Sequence, residues 1–191
     1  MLRIGIAGKI GCGKSTLGKL LTGRGFPVLD ADLEAHKLYA TDADVRAAIA
    51  KAFGADTVTG TDVNRKALAS HVFANPGALR TLEDIVYPVL QGRLRESLRA
   101  FATGKNPPRA AFIEGAVLFK WPDFCRSLDE IWIVEAPESV RLDRLLKRGL
   151  SREDAERRIR LQRDDPYPKN EHTTRIDNGG DEAHLARQLP I

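Results

Sequence analysis

Eight residues near the amino terminus, Gly8-Lys9-Ile10-Gly11-Cys12-Gly13-Lys14-Ser15, constrain this chain more than any other feature. They fit the pattern G-x-x-x-x-G-K-[ST] and follow a short apolar run, Leu2 to Ala7, broken only by Arg3. A helical pattern from about Lys14 to Thr22 comes next and closes at Gly23 and Gly25. Strand, glycine-rich turn and helix in that order make a cradle for an anion, because glycines let successive N–H groups turn inward and the helix start adds positive potential. The spacing predicts a bound nucleoside triphosphate held by Gly8, Lys9, Ile10, Gly11, Cys12, Gly13, Lys14, Ser15 and Thr16. Lys14 would bridge the β- and γ-phosphates and Ser15 would ligate Mg²⁺.

The rest of the pattern supplies the frame. Phe26 to Asp30, Ala110 to Glu114, Ile131 to Glu135 and Thr173 to Asp177 read as further short strands alternating with helices, which argues for a parallel sheet covered on both faces. The stretch from Asp42 to Gly104 breaks that rhythm, with apolar residues three and four apart at Leu79, Leu82, Ile85, Val86, Val89, Leu90 and Leu94. It reads as a mostly helical insertion. A second helical excursion runs from Pro137 through Arg163, with Ser151 placed to start a helix. The expected architecture is α/β: a three-layer P-loop NTPase core (1–41, 105–145 and 171–191), a helical substrate-binding insertion (42–104) and a helical lid (146–170).

Charge is local. The 191 residues carry a net charge of +4, yet residues 141–163 alone hold nine Arg or Lys against four acids. A basic segment beside a phosphate loop suits an anionic ligand better than a nucleic-acid coat, and no aromatic residues interleave with its charges. Part of it reads as solvated helix laced by Glu153–Arg157 and Asp154–Arg158 pairs, with Arg152 and Arg160 expected to do no more. No apolar run has the length of a membrane span, Met1 leads directly into a strand rather than a leader, and two cysteines make neither a disulfide framework nor a zinc site. The expectation is a cytoplasmic protein with no nucleic-acid or membrane partner, monomeric or weakly self-associating.

Two further features bear on chemistry. Strand Phe26–Asp30 ends in Asp30-Ala31-Asp32, where a carboxylate could accept the proton of an attacking hydroxyl; one of the two could equally cap the next helix. Glu114 ends a buried strand, a place for an acid that orients Mg²⁺. The chain has no N-K-x-D guanine-reading motif.

Longer stretches resemble the dephospho-CoA kinase family. That family opens G-L-T-G-G-I-G-S-G-K-S, against Gly5-Ile6-Ala7-Gly8-Lys9-Ile10-Gly11-Cys12-Gly13-Lys14-Ser15 here. Its D-A-D with A-H matches Asp30-Ala31-Asp32 and Ala35-His36, and its R-x-x-L-x-x-x-V-F-x-x-P matches Arg65 to Pro76. Leu82-Glu83, Tyr87-Pro88, Phe112 to Lys120, Pro137-Glu138 with Arg141, Arg144 and Arg148, Arg158-Ile159-Arg160-Leu161-Gln162 and Ile176-Asp177-Asn178-Gly179-Gly180 continue the match in order. The resemblance implies a kinase that uses ATP and Mg²⁺ to phosphorylate the ribose 3′-hydroxyl of dephospho-CoA. It implies Asp32 as base, with Asp30, Asp32, Arg65, Tyr87 and Glu114 on the substrate side. Arg144 and Arg148 would face the phosphates, Asn178 and Gly179 would lie near adenine, and Ser15 and Glu114 would hold the metal.

Departures leave the acceptor open. Ala7, Lys9, Tyr87, Ala116, Lys120 and Arg141 replace the family's threonine, glycine, histidine, proline, glutamate and glutamine. A kinase for a nucleoside or deoxynucleoside monophosphate remains an alternative. So does an ATP-switched dimer in which Lys9 reaches the partner's phosphates.

Overall fold

The computed structural model describes residues 1–75 and 77–189, so Pro76, which closes one of the matched stretches, lies outside the described residues. The chain divides into two compact units, 1–30 with 98–191, and 31–97.

The first unit is built on a five-stranded sheet whose pairings are all parallel. Its strands are β1 (Leu2–Ala7), β2 (Val28–Asp30), β5 (Ala110–Glu114), β6 (Glu130–Glu135) and β7 (Thr173–Asp177), in the order β2-β5-β1-β6-β7. The three central strands are almost wholly buried, which is why they read as continuous apolar runs. Ile4, Ile6, Phe112, Trp132 and Val134 pack with Leu17 and Leu21 of helix α1 (Lys14–Gly23) and Leu185 of α9 (Glu182–Arg187). The direction of crossover reverses at β1, and the loop leaving its carboxyl end is Gly8–Gly13: a ligand site of an open parallel sheet falls there.

β2 is shorter than the pattern suggested. Phe26 donates its N–H back to Leu21 O at 3.0 Å in the turn that ends α1, and Pro27 has no N–H to give. Paired residues therefore start at Val28, with the Pro27 carbonyl accepting from Phe112 N at 2.9 Å, and Asp30 comes to stand beside Glu114 across the β2–β5 pair.

After β6 come α7 (Glu138–Lys147) and α8 (Arg152–Leu161), joined through the left-handed Gly149. Leu145, Ala155 and Ile159 form a small core of their own, and Ile10 of the phosphate loop packs against it. Ser151 caps α8 by accepting from Asp154 N, as its position suggested. The surface pairs differ from expectation. Arg157 bonds Asp154, while Arg152 and Arg160 both lie near Glu156. Those are exposed pairs of little energetic weight.

The second unit holds α2 (Ala31–Thr41), α3 (Ala43–Phe53), α4 (Arg65–Ala74) and most of α5 (Ala78–Thr103). It also holds a small antiparallel hairpin, β3 (Val58–Thr59) with β4 (Asp62–Val63), in a stretch expected to be mostly helical. Two-residue strands are too short to show an alternation. Arg93 on α5 donates to Thr41 Oγ1 at 2.6 Å and Asp42 Oδ2 at 2.9 Å. The Val45 amide and that guanidinium hold the Asp42 carboxyl below its ordinary range while it caps α3. Helix α2 falls in this unit, so the unit begins at residue 31, where the pattern alone suggested 42.

Candidate active site

The loop between β1 and α1 is fixed on its carbonyl side. Every carbonyl from Gly8 to Gly13 accepts a hydrogen bond. Lys14 Nζ donates to Gly8 O at 2.7 Å and Cys12 N to Lys9 O at 3.2 Å. Arg141 Nε donates to Ile10 O at 2.8 Å, and Arg144 Nη1 to Gly11 O at 3.5 Å and Cys12 O at 3.3 Å. Asn178 Nδ2 also donates to Cys12 O at 2.8 Å, and Thr16 and Leu17 N–H groups take Gly13 O. The N–H groups of Gly11, Gly13, Lys14 and Ser15 have no acceptor among the described residues. Carbonyls bound outward and amides left over make a concave donor surface at the positive end of a helix.

Gly13 is indispensable to this geometry. It caps α1 at φ +95°, and a Cβ there would stand 2.0 Å from Asn178 Nδ2. Asn178 is 3% exposed and its own N–H bonds Glu135 O at 2.7 Å, so it has nowhere to retreat. We expect Gly13→Ala to lower stability by about 1–3 kcal/mol, a drop of roughly 2–10 °C in Tm, measured by thermal denaturation without nucleotide. An unchanged midpoint would contradict the packing described.

Next to this surface, Ser15, Gly18, Lys19, Thr22, Val28, Asp30 and Glu114 line one cleft. Glu114 is 8% exposed, and its Oε1 lies so close over Gly18 that a Cβ at 18 would be 2.8 Å away. The cleft thus gathers the hydroxyls of Ser15 and Thr22 and two carboxylates, all oxygen donors of the kind a hard divalent cation takes.

Of the residues expected on the substrate side, Asp32, Arg65 and Tyr87 come together in the second unit, whereas Asp30 and Glu114 belong to the first. Asp32 sits exposed in the first turn of α2. Tyr87 donates to Glu83 Oε1 at 3.1 Å; burial pushes its phenol well above the ordinary range, and Glu83, Asp32 and Tyr39 add to the effect. Burial also raises Tyr39, while the nearby charge of Arg65, at the start of α4, pulls it down. Asp32, Tyr39, Arg65, Glu83 and Tyr87 therefore form one neighbourhood. Asp30 and Asp32, two residues apart, have different companions: Ser15 and Glu114 for the first, tyrosines for the second.

Some expected residues lie elsewhere. Arg148 ends α7, exposed, and its side chain bonds no described residue. Lys9 is engaged within its own chain, with Nζ 2.5 Å from Arg163 O and 5.3 Å from the Tyr167 ring centre. Gly179 donates its N–H to Asp177 Oδ1 at 2.9 Å just beyond Asn178.

Two residues were not recognised from sequence. Arg141 figured only as a departure from the family's glutamine. Gln162, quoted only as part of a motif, accepts from Ile10 N at 2.6 Å. Ile10 is thus held on both sides of its backbone, by Arg141 from α7 and by Gln162 just past α8.

Comparison with known proteins agrees with this geometry. A family model described as dephospho-CoA kinase (CoaE) matches residues 2–183. A dephospho-CoA kinase of Parasynechococcus marenigrum is 35% identical over 179 residues, covering 93% of this chain and 88% of the relative. That of Geobacter metallireducens is 34% identical over 191 residues, covering 99% and 94%. A solved Thermus thermophilus structure is 33% identical with a TM-score of 0.74, covering 97% of this chain and 93% of that one. A dephospho-CoA kinase from Campylobacter jejuni shares the fold at a TM-score of 0.67 and 22% identity, covering 97% and 92%. A phosphate loop with its carbonyls locked, an oxygen-lined cleft at the edge of a parallel sheet and a match along nearly the whole sequence place this chain in the dephospho-CoA kinase family.

Proposed function

We propose that the protein transfers the γ-phosphoryl group of ATP to the ribose 3′-hydroxyl of dephospho-CoA, giving coenzyme A and ADP. The observation that carries this reading is the phosphate loop, whose carbonyls are all bonded while the amides of Gly11, Gly13, Lys14 and Ser15 are left over, in a chain of this family.

The loop amides and Lys14 hold the triphosphate, and Lys14 Nζ exchanges Gly8 O for phosphate oxygens. Arg144, at 3.3 Å from Cys12 O and 3.4 Å from Asn178 Oδ1, brings positive charge to the same loop, with Asn178 and Gly179 on the adenine side. Ser15, Asp30 and Glu114 suit Mg²⁺, which when bound neutralises charge on the phosphate oxygens. Asp32 takes the proton of the 3′-hydroxyl as its oxygen attacks the γ-phosphorus, and the bond to the β–γ bridging oxygen breaks, leaving ADP. Arg65 and Tyr87 hold the acceptor. Because phosphoryl transfer is mostly positioning and charge neutralisation, these groups suffice without a covalent intermediate.

The test is ADP release from ATP and Mg²⁺, comparing dephospho-CoA with a panel of nucleoside monophosphates. The proposal expects strong stimulation by dephospho-CoA alone. Stimulation by a monophosphate instead would mean that the departures at Tyr87, Ala116 and Lys120 have changed the acceptor. Silence with every acceptor would overturn the kinase reading for this chain.

A further inference from the structure

Arg141 has an environment unlike that of Arg144 and Arg148 on the same stretch. It is 8% exposed on the first turns of α7, and its own backbone carbonyl would stand 2.9 Å from a Cβ placed on Gly11, so the helix is pressed against the loop. Gly11 is left-handed at φ +77°, a conformation other residues adopt only with strain. Nε donates to Ile10 O at 2.8 Å, whereas Nη2, fully buried, has no acceptor among the described residues.

The shape of the guanidinium decides where that second donor points. Nε–H and the neighbouring Nη2–H lie along one edge of the planar fork and aim the same way, which is why arginine binds carboxylates and phosphates side-on. With Nε fixed on Ile10 O, Nη2 is directed at the same end of the loop. A buried cationic donor without an acceptor is costly, and proteins rarely retain one that no ligand satisfies. The ligand class follows from charge: an oxyanion. Within the loop, α1 begins at Lys14 and takes the phosphates nearer the nucleoside. Ile10 and Gly11 lie at the far end, toward the end of the phosphate chain.

We infer that Arg141 is a phosphate-binding residue for the donor nucleotide, its Nη2 donating to an oxygen of the terminal phosphate while Nε keeps Ile10 in place. Arg141 thereby adds a positive charge where the family's pattern has a neutral glutamine. The inference rests on the reading of Gly8–Ser15 as a triphosphate cradle.

The experiment measures binding of the β,γ-imido analogue of ATP and of ADP, each with Mg²⁺, by calorimetry on the full chain. Parent, Arg141→Gln, Arg141→Lys and Lys14→Ala are compared, and the KM for dephospho-CoA is measured for the two Arg141 variants. Arg141→Gln is expected to weaken the triphosphate analogue about 10- to 30-fold, as for loss of a charge-assisted bond, with ADP within about threefold of the parent. Arg141→Lys, which keeps the charge on a similar stem, should recover most of the difference, and the KM for dephospho-CoA should not move. Equal weakening of both nucleotides would mark a packing role and overturn the assignment. So would an unchanged analogue affinity, or a rise confined to the KM for dephospho-CoA. If Lys14→Ala loses the analogue and Arg141→Gln does not, only this inference fails; if neither loses it, the cradle reading falls as well. Should Arg141→Gln fold poorly by thermal melt, Arg141→Met, which keeps an apolar stem and removes the charge, takes its place: loss of the triphosphate analogue with ADP within about threefold supports the assignment, and equal weakening of both, or of neither, overturns it.

Discussion

Replacing Lys14 by alanine is expected to lower kcat/KM by about 10³-fold or more while leaving the protein folded. The expectation comes from what the ammonium does and does not hold. In the structure its bond is to Gly8 O at 2.7 Å; Gly8 is buried, and removing the half-buried lysine leaves room for a water to take the place of its ammonium on that carbonyl. The remaining carbonyls depend on Arg141, Arg144, Asn178 and backbone amides, so the loop keeps its shape. What disappears is a cation aimed at charge that grows in the transition state. Arginine at this position should not rescue, because a planar fork cannot reproduce a compact point charge. Steady-state kinetics with a thermal melt decide the matter: near-parent activity in a folded Lys14→Ala protein would remove the phosphate loop from the mechanism.

Asp32→Asn is expected to lower kcat by about 10²- to 10⁴-fold with the KM for ATP within about threefold. An amide of the same shape preserves contacts yet cannot accept the hydroxyl proton. The neighbouring Asp30→Asn should behave differently, because Asp30 lines the cleft with Ser15 and Glu114. There the expected change is a higher Mg²⁺ concentration for half-maximal rate. A larger kcat loss in Asp30→Asn than in Asp32→Asn would exchange the two roles.

The parts of this molecule that sequence reveals are those governed by local periodicity. β1, the loop and α1 follow from an apolar run, glycine spacing and a helical stripe, and the structure places them at Leu2–Ala7 and Lys14–Gly23. Ser151 is legible as a cap because capping is a matter of three residues. Phe26 and Pro27 misled because Phe26 is tied back into a turn and Pro27, with no N–H, gives the ladder only its carbonyl. The β3–β4 hairpin is too brief to show a period. Within the site, Ser15, Asp30 and Glu114 could be placed at strand and loop ends. The burial of Arg141 and the bond from Ile10 N to Gln162 depend on contacts spanning more than 130 residues, which no window along the chain contains. For the same reason Arg148, one helical turn beyond Arg144, could not be told from it by spacing alone.

The bonded carbonyls of the phosphate loop carry one more consequence. Each carbonyl from Lys9 to Gly13 is already oriented by a donor other than Lys14. An arriving anion therefore meets amides that need not turn toward it, and the reorganisation that water would require has been completed during folding. Nucleotide capture becomes a matter of encounter and charge, with little waiting for the loop. The work of shaping the binding surface is shared by residues more than a hundred positions away, so damage to α7 or to Asn178 should reach the nucleotide through the peptide groups of the loop.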